Sequence, residues 1–350
     1  MKDIIEILER WTDKGTPVAL GSVVERIGSA PRDPGATLAV SAAGEVIGGV
    51  TGGCVEPAVI KEANDVLSGS RGRICRYGLS DDDGFDVGLT CGGTIAVAVY
   101  ALDPALVPPI AEAVRTDRPI AVTLRLGESR FGEQSIVAGD TGNGQVNGDP
   151  LGAAARTLLE IGESGIVETI DGDLVFVESY APRANMYIFG ASDHVSAVVP
   201  LAKSIGYRVT VCDPRKVFLT KERFPDADEL VDEWPDQFLE RAPIDPRTVI
   251  CMMTHDLKFD VPALRLALAS NAGFIGAIGS EKTRADRDAR LRADGISEAD
   301  LARLHAPVGI QIGARTPEEV AITIAAQLIE ANVVARNKRI ASIAHATVLS

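Results

Sequence analysis

Residues 186–213 read MYIFGASDHVSAVVPLAKSIGYRVTVCD and predict the fold class of the C-terminal half of the chain. Two short apolar runs, MYIFG and YRVTVCD, flank a helical pattern over residues 193–205, which is the strand, helix, strand order of a βαβ unit. Pro200 lies inside the helical pattern, so we expect a kink there. A βαβ unit predicts a parallel sheet of the Rossmann type.

The alternation of strands and helices continues downstream, through TVICMMTH, VPALRLALAS, FIGAIGS and EKTRADRDARLRA. The last helix is expected to begin with Thr316 as its N-cap, Pro317 as its first residue and Glu319 as the acid of a capping box, and to run to about Arg336. In EKTRADRDARLRA the arginines, Arg287 among them, alternate with aspartates, which predicts an ordinary solvated helix face.

The N-terminal half has a different pattern. An amphipathic helix with Ile4, Leu8 and Trp11 on one face precedes the runs PVALGSVVER, ATLAVSA and EVIGGV, which predict a small antiparallel meander. Further on, AGDTGNGQVNGD predicts a loop and IVETIDGDLVFVESY a hairpin. We therefore predict an α/β protein: a mixed α+β N-terminal domain over residues 1–182, then a Rossmann-like parallel-sheet domain over residues 183–350.

Composition narrows the class of protein. A length of 350 residues suits two domains, and a net charge of −14 disfavours a nucleic-acid partner. We find no apolar run of membrane-spanning length and no secretory signal in MKDIIEILERW. Five cysteines without a CxxC pair fit neither a disulfide framework nor a zinc ribbon. These features predict a cytoplasmic protein with reduced thiols and no integral membrane span.

The segment GGVTGGCVEP, residues 48–57, is the most unusual in the chain. Gly52 and Gly53 let a ligand approach the backbone, and N–H groups that point outward before a helix suit an anion. The positive helix end also favours a thiolate at Cys54, which could bind a soft metal or carry sulfur. The alternative is that the glycines only make a tight strand-to-helix turn and that Cys54 is a buried apolar residue.

Two further motifs are candidates for the same site. LTCGG places Cys91 and Gly92 before a strand, as a second glycine-flanked thiol, although a core cysteine beside a bulge glycine fits equally well. GSAPRDPGA holds Arg32 between two prolines, in a rigid loop that could present the guanidinium to a phosphate or carboxylate. Such a loop can also be a simple turn.

In the C-terminal half, FGASDH stands where a dinucleotide fingerprint is expected. Gly190 is the first glycine of G-x-G-x-x-G, but Ser192 and Val195 replace the other two, so the nucleotide signal is weak. Asp213 is placed like the acid that binds a ribose hydroxyl, and Arg215 could meet a phosphate. The alternative is that CDPR is a turn in which Asp213 caps its own backbone.

The segment MMTHD brings His255 and Asp256 to the carboxyl end of a third predicted strand, where open α/β sheets bind ligands. A histidine and an aspartate there suit acid-base or metal chemistry. A polar loop cap explains the pair equally well.

Taken together and in this order, the motifs resemble the XdhC/CoxI family. The resemblance covers nearly the whole chain and rests on GSAPRDPGATL, GGVTGGCVE, LTCGG, VCDPR, RFPDAD, MTHD, FIGAIGSEKTR and PVGIQIGARTPEEVAI. FGASDH departs from the glycine-richer turn of many relatives.

The resemblance implies an accessory protein that binds molybdenum cofactor (molybdopterin), supports its sulfuration and delivers it to a molybdenum hydroxylase of the xanthine or CO dehydrogenase type. Cys54 and Cys91 are then the candidate reactive cysteines, with Cys54 on the metal and Arg32 on the ligand. A cysteine desulfurase is a further candidate partner, and we expect a homodimer.

Such a carrier need not be an enzyme. The rival function is an NAD(P)-dependent oxidoreductase that uses Asp213 for the ribose and His255 as proton donor. A third is a scaffold whose Rossmann-like domain dimerises and docks partners.

Overall fold

A computed structural model of the chain describes residues 1–78, 92–138 and 150–348. The chain divides into two compact units, one of which holds Met1–Pro182 and the other Arg183–Ile340. Within the described ranges, every helix is too short or too polar to cross a membrane.

The helices of the described residues are α1 (Ile5–Asp13), α2 (Glu56–Leu67), α3 (Val107–Arg115), α4 (Pro150–Ile161), α5 (Asp193–Ser204), α6 (Pro235–Arg241), α7 (Leu257–Ala269), α8 (Glu281–Ala293), α9 (Glu298–Leu301) and α10 (Pro317–Val348).

The strands are β1 (Val18–Ile27), β2 (Thr37–Ser41), β3 (Val46–Gly48), β4 (Arg73–Tyr77), β5 (Thr94–Ala101), β6 (Ile120–Arg125), β7 (Gln134–Ala138), β8 (Gly165–Glu168), β9 (Leu174–Tyr180), β10 (Asn185–Phe189), β11 (Arg208–Cys212), β12 (Glu229–Val231), β13 (Val249–Met252), β14 (Phe274–Ala277) and β15 (Leu304–His305).

The first unit is built around an antiparallel sheet in the order β3-β2-β1-β5-β4. Side chains alternate along the central strand β5: Ile95 and Val97 join the core under α2, while Ala96 and Tyr100 join the core that contains α1 and α3. Both faces of this sheet are therefore buried. A Cβ at Gly21 of β1 would lie 2.4 Å from the Val59 side chain, so glycine there lets α2 pack closely on the sheet.

A second antiparallel sheet in this unit has the order β7-β6-β9-β8. The predicted hairpin is its β8–β9 pair, with Gly165 opposite Val177. Helix α4 covers one face through Leu158 and Leu159, which pack among Val175 and the other side chains of that cluster.

The second unit is a six-stranded parallel sheet in the order β12-β11-β10-β13-β14-β15. Numbered from β10, this is the 3-2-1-4-5-6 strand order of a Rossmann fold. Successive strands are added on one side of β10 up to β12 and then on the other side from β13, so the switch point of the strand order lies between β10 and β13. Helices α5 and α10 pack on one face, and α6 and α7 on the other. The predicted fold class is thereby confirmed.

The structure also differs in detail from the predicted elements. Sequence patterns did not predict four short edge strands, β4, β7, β12 and β15, or three helices, α4, α6 and α9. The strands and the helices α6 and α9 have too few residues to show a clear period. The last helix ends at Val348 rather than near Arg336. Most of the predicted loop AGDTGNGQVNGD, residues 139–149, lies outside the described residues.

Candidate functional site

Three of the predicted motifs converge at one end of the five-stranded sheet. Ile27, the last residue of β1, pairs with Thr94, the first of β5. On the other side of β1, the start of β2 pairs with the end of β3 through Leu38 and Gly48. The Arg32 loop, the glycine-rich turn and the segment that leads into β5 therefore leave the sheet at the same end.

The residues before β5 pack directly on the Arg32 loop. A Cβ at Gly93 would lie 2.6 Å from the carbonyl carbon and oxygen of Ser29, a separation that only glycine avoids. Gly92 is exposed, and its carbonyl oxygen would be 3.8 Å from a Cβ at Gly28. Cys91 lies outside the described residues, so its role as a second thiol stays a prediction.

The glycine-rich turn is organised by a carboxylate that sequence reasoning overlooked. Glu56 Oε1 accepts hydrogen bonds from the N–H groups of Val50 (3.1 Å), Thr51 (2.8 Å) and Gly52 (2.8 Å). Its Oε2 accepts from the N–H groups of Gly53 (2.8 Å) and Val55 (3.2 Å) and from the Thr51 hydroxyl (2.7 Å). The N–H groups expected to face an anion thus bind an anion of the chain itself. An acidic residue in the first turn of a helix was the available signal.

Cys54 is exposed in this turn and lies one residue before the N-cap of α2. Its N–H donates to the Thr51 hydroxyl oxygen over 3.2 Å. Gly52 and Gly53 have φ angles of +96° and +132°, which favour glycine, and a Cβ on either would meet nothing within 4 Å. The alternative in which Cys54 is a buried apolar residue is therefore wrong.

Arg32 lies beside the turn. Its Nη1 and the Oε1 of Glu56 would lie 3.9 and 3.3 Å from a Cβ at Gly49. The Arg32 side chain is 43% exposed, and its Nη2 is 3.8 Å from Asp3 Oδ2. The structure therefore places the Arg32 side chain beside the turn that carries Cys54, and both residues are partly or fully exposed.

The turn should make stability depend on acid pH. Burial alone raises the pKa of Glu56, but hydrogen bonds from Thr51 and Gly52 outweigh it and lower the pKa from 4.5 to about 2. The stabilisation is fully present above the unfolded value of 4.5 and is lost as the pH falls through about 2. Because Glu56 is partly accessible to solvent, we expect only about 1 kcal/mol. Urea unfolding of wild type and Glu56→Gln should differ near pH 7 and converge near pH 2; a difference independent of pH would contradict this.

In the second unit, Gly190 and Asp213 of the predicted nucleotide motif are in close contact with other groups of the chain. A Cβ at Gly190 would lie 2.9 Å from the Met253 carbonyl oxygen, so this glycine lets β10 approach the end of β13. Ser192 is the N-cap of α5, but its hydroxyl makes no capping bond. The next residue, Asp193, lies in the first turn of α5, and its carboxylate accepts a hydrogen bond from Arg223 Nη2 over 2.9 Å.

Asp213 is fully buried at the end of β11. Its carboxylate accepts hydrogen bonds from the N–H of Ala191 (2.8 Å), and from the N–H (2.8 Å), Nε (2.9 Å) and Nη2 (2.7 Å) of Arg215. The side chain placed like a ribose-binding acid is thus engaged by donors of the chain itself. CDPR forms the capping turn that was the alternative interpretation.

His255 and Asp256 also lie at this edge of the sheet. His255 is exposed and has a φ of +61°, a left-handed conformation that is unusual for histidine. Asp256 is the N-cap of α7 and accepts from the Lys258 N–H over 3.1 Å.

Sequence reasoning missed a buried ion pair next to these residues. Arg287 Nη1 lies 3.5 Å from Asp260 Oδ2, and neither side chain is more than 1% exposed. Asp260 also accepts a hydrogen bond from the Thr254 hydroxyl, and Arg287 Nη1 donates to the Ile278 carbonyl over 3.1 Å. Burial raises the pKa of Asp260, despite the Thr254 hydrogen bond and the Arg287 charge. The predicted solvated face is therefore wrong for Arg287, although Arg284, Arg290 and Arg292 are exposed.

Metal binding by protein side chains alone finds no support in the described ranges. No three histidine, cysteine, aspartate or glutamate side chains are grouped there to hold a metal ion.

Comparison with known proteins gives matches along most of the chain. The family model described as the XdhC and CoxI family matches residues 11–78, and that described as the XdhC Rossmann domain matches residues 186–328. A probable xanthine dehydrogenase subunit of Bacillus subtilis is 25% identical over 93% of this chain and 96% of its own length. The molybdenum cofactor insertion chaperone PaoD of Escherichia coli is 28% identical over 90% of this chain and 83% of its own.

A solved structure is similar over the same extent. A crystal structure described as a xanthine dehydrogenase from Bacillus halodurans superposes with a TM-score of 0.63 at 27% identity. The match covers 93% of this chain and 95% of that chain, so it includes both units.

Proposed function

Because the chain belongs to the XdhC and CoxI family, we propose that it is an accessory protein that binds molybdenum cofactor, supports its sulfuration and inserts it into a molybdenum hydroxylase. The observation that carries this proposal is the match to a molybdenum cofactor insertion chaperone along 90% of the chain. A chaperone of this kind holds the cofactor as cargo and releases it, so it need not catalyse a reaction of its own.

The site at the end of the five-stranded sheet suits such a cargo. Cys54 is exposed, and its thiolate would be a soft ligand of the kind that binds molybdenum. The Arg32 guanidinium presents the planar donors that bind a phosphate. Exposure of both groups fits a cofactor that must be handed to another protein. Gly52 and Gly53 leave the backbone beside Cys54 open to a close approach.

The proposal also covers the domain organisation, the oligomeric state and the partner proteins of the chain. We propose that the two units act as separate domains with a boundary near Pro182, that the protein works in the cytoplasm as a homodimer, and that its partners are an enzyme of the xanthine or CO dehydrogenase type and a cysteine desulfurase. A net charge of −14 argues against nucleic acid as a partner.

A second candidate function, an NAD(P)-dependent oxidoreductase, is favoured by one observation. The 3-2-1-4-5-6 strand order creates the crevice in which Rossmann folds bind dinucleotides. Two features weigh against it, because Ser192 and Val195 replace two glycines of the dinucleotide motif and Asp213 is paired with Arg215. We therefore rank this function second.

One purified sample tests both functions. Protein purified under reducing, anaerobic conditions from cells that make molybdenum cofactor is expected to carry molybdenum and a fluorescent pterin in near-equal amounts, measured by metal analysis and by fluorescence of the released ligand. Calorimetry with NAD(H) and NADP(H) is expected to show no micromolar binding. Micromolar dinucleotide affinity in a protein free of molybdenum and pterin would reverse this ranking.

A further inference from the structure

We propose that Glu56 is a positioning residue whose carboxylate acts as an internal ligand of the turn over residues 50–55 and holds the conformation that exposes Cys54. The inference deepens the proposed function, because it explains how the thiol assigned to the cofactor is presented. Its conformational content can be tested on the protein without cofactor.

The backbone N–H groups of the turn all bind Glu56 or a hydroxyl that binds it. Five of them, in residues 50, 51, 52, 53 and 55, donate to Glu56. The remaining one, of Cys54, donates to the Thr51 hydroxyl, which itself donates to Glu56 Oε2. Every backbone N–H of the turn thus donates a hydrogen bond either to the Glu56 carboxylate or to the Thr51 hydroxyl that is bound to it.

The turn needs such an organiser. Gly52 and Gly53 adopt positive φ angles and have open space around them, so local sterics do not select this conformation. Hydrogen bonds to an ionised acceptor are stronger than neutral ones, and the N-terminus of α2 adds a favourable field. Close packing of α2 on Gly21 fixes the helix, and Glu56 in its first turn fixes the backbone before it.

Because Glu56 already binds the N–H groups of the turn, different groups of the site would bind the molybdenum and the phosphate of the cofactor. An anionic group of a ligand cannot use N–H groups that already bind a carboxylate, unless Glu56 is displaced. We therefore assign a ligand phosphate to the guanidinium of Arg32, whose side chain is 43% exposed beside the turn.

The test compares three variants of the protein without cofactor. Glu56→Gln keeps the shape but loses the charge and one acceptor atom, and Glu56→Ala removes the ligand. Glu62→Gln is the matched control, because Glu62 also lies on α2 and also binds donors, those of Arg73. Amide hydrogen exchange in residues 50–55 should become at least about tenfold faster in both Glu56 variants and stay unchanged in the control.

Chemical rescue separates positioning from a general loss of structure. Formate at tens of millimolar should slow exchange of these amides in Glu56→Ala and leave wild type unaffected, because a small carboxylate can occupy the vacated place. The rate of Cys54 alkylation by iodoacetamide should change in both Glu56 variants, because the turn that presents the residue is altered, and it should return towards wild type with formate in Glu56→Ala.

The proposal is overturned if Glu56→Gln keeps wild-type exchange in the turn and wild-type alkylation of Cys54. If Glu56→Ala does not fold, the Glu56→Gln comparison decides alone. The outcome is independent of cofactor: a wild-type protein that binds no molybdenum or pterin refutes the proposed function, while the exchange and alkylation data still judge Glu56.

Discussion

Replacement of Cys54 by alanine is expected to lower the molybdenum and pterin that copurify with the protein at least about tenfold, since it removes the thiol that faces solvent at the junction of the three motifs. Activation of a client molybdenum hydroxylase should fall in parallel. The measurement is metal and pterin content per protein after anaerobic purification, followed by a reconstitution assay with the client apoenzyme.

Cys75→Ala is the matched control for this experiment. Cys75 lies on β4 of the same sheet but is half-buried, and burial raises the pKa of its thiol. The control should retain wild-type cofactor content. If Cys54→Ala also binds cofactor and activates the client normally, the role assigned to Cys54 is wrong.

Replacement of Arg287 by methionine is expected to destabilise the second unit by about 3 to 5 kcal/mol, because it leaves Asp260 buried without its cation. The fluorescence of Trp234, whose ring lies 4.8 Å from that of Phe259 on α7, reports on this unit. Urea unfolding in a Trp11→Phe background, which removes the other tryptophan, gives the free energy of unfolding.

Two further variants make this prediction specific. The double variant Arg287→Met with Asp260→Asn should recover much of the loss, because the buried charge is gone and the Thr254 hydroxyl keeps a partner. Arg284→Met should change stability by no more than about 0.5 kcal/mol, since Arg284 is exposed on the same helix. Equal losses for Arg287→Met and Arg284→Met would show that the buried pair is unimportant.

The sequence predicted the architecture well because the relevant signals are local. Alternating short apolar runs and helical patterns from residue 186 onward are enough to predict a parallel sheet. In β1 and β5 both faces are buried, and the apolar runs were still recognised as strands. The short edge strands β4 and β12 were not predicted, because their few residues show too little alternation of apolar and polar side chains.

The candidate site was predicted as separate motifs and not as one place. Arg32, Cys54 and Gly92 were each singled out by local composition. Their convergence depends on β5 pairing with β1 across more than 60 residues of chain, and no local pattern encodes that pairing.

The nucleotide-like motif of the second unit separates what local sequence patterns predict from what depends on tertiary contacts. Local sequence patterns were enough to predict the βαβ unit and to place Gly190 and Asp213 at strand ends. The contacts of Asp213 with Ala191 and Arg215, and the burial of Arg287 against Asp260, depend on how the folded chain packs and could not be predicted from local patterns. The same distinction holds for the glycine-rich turn: its composition predicted a backbone open to an anion, and the fold supplied that anion from Glu56. Periodicity and turn residues act over a few positions, whereas the partner of a polar side chain is chosen by whichever donors packing brings within hydrogen-bonding distance.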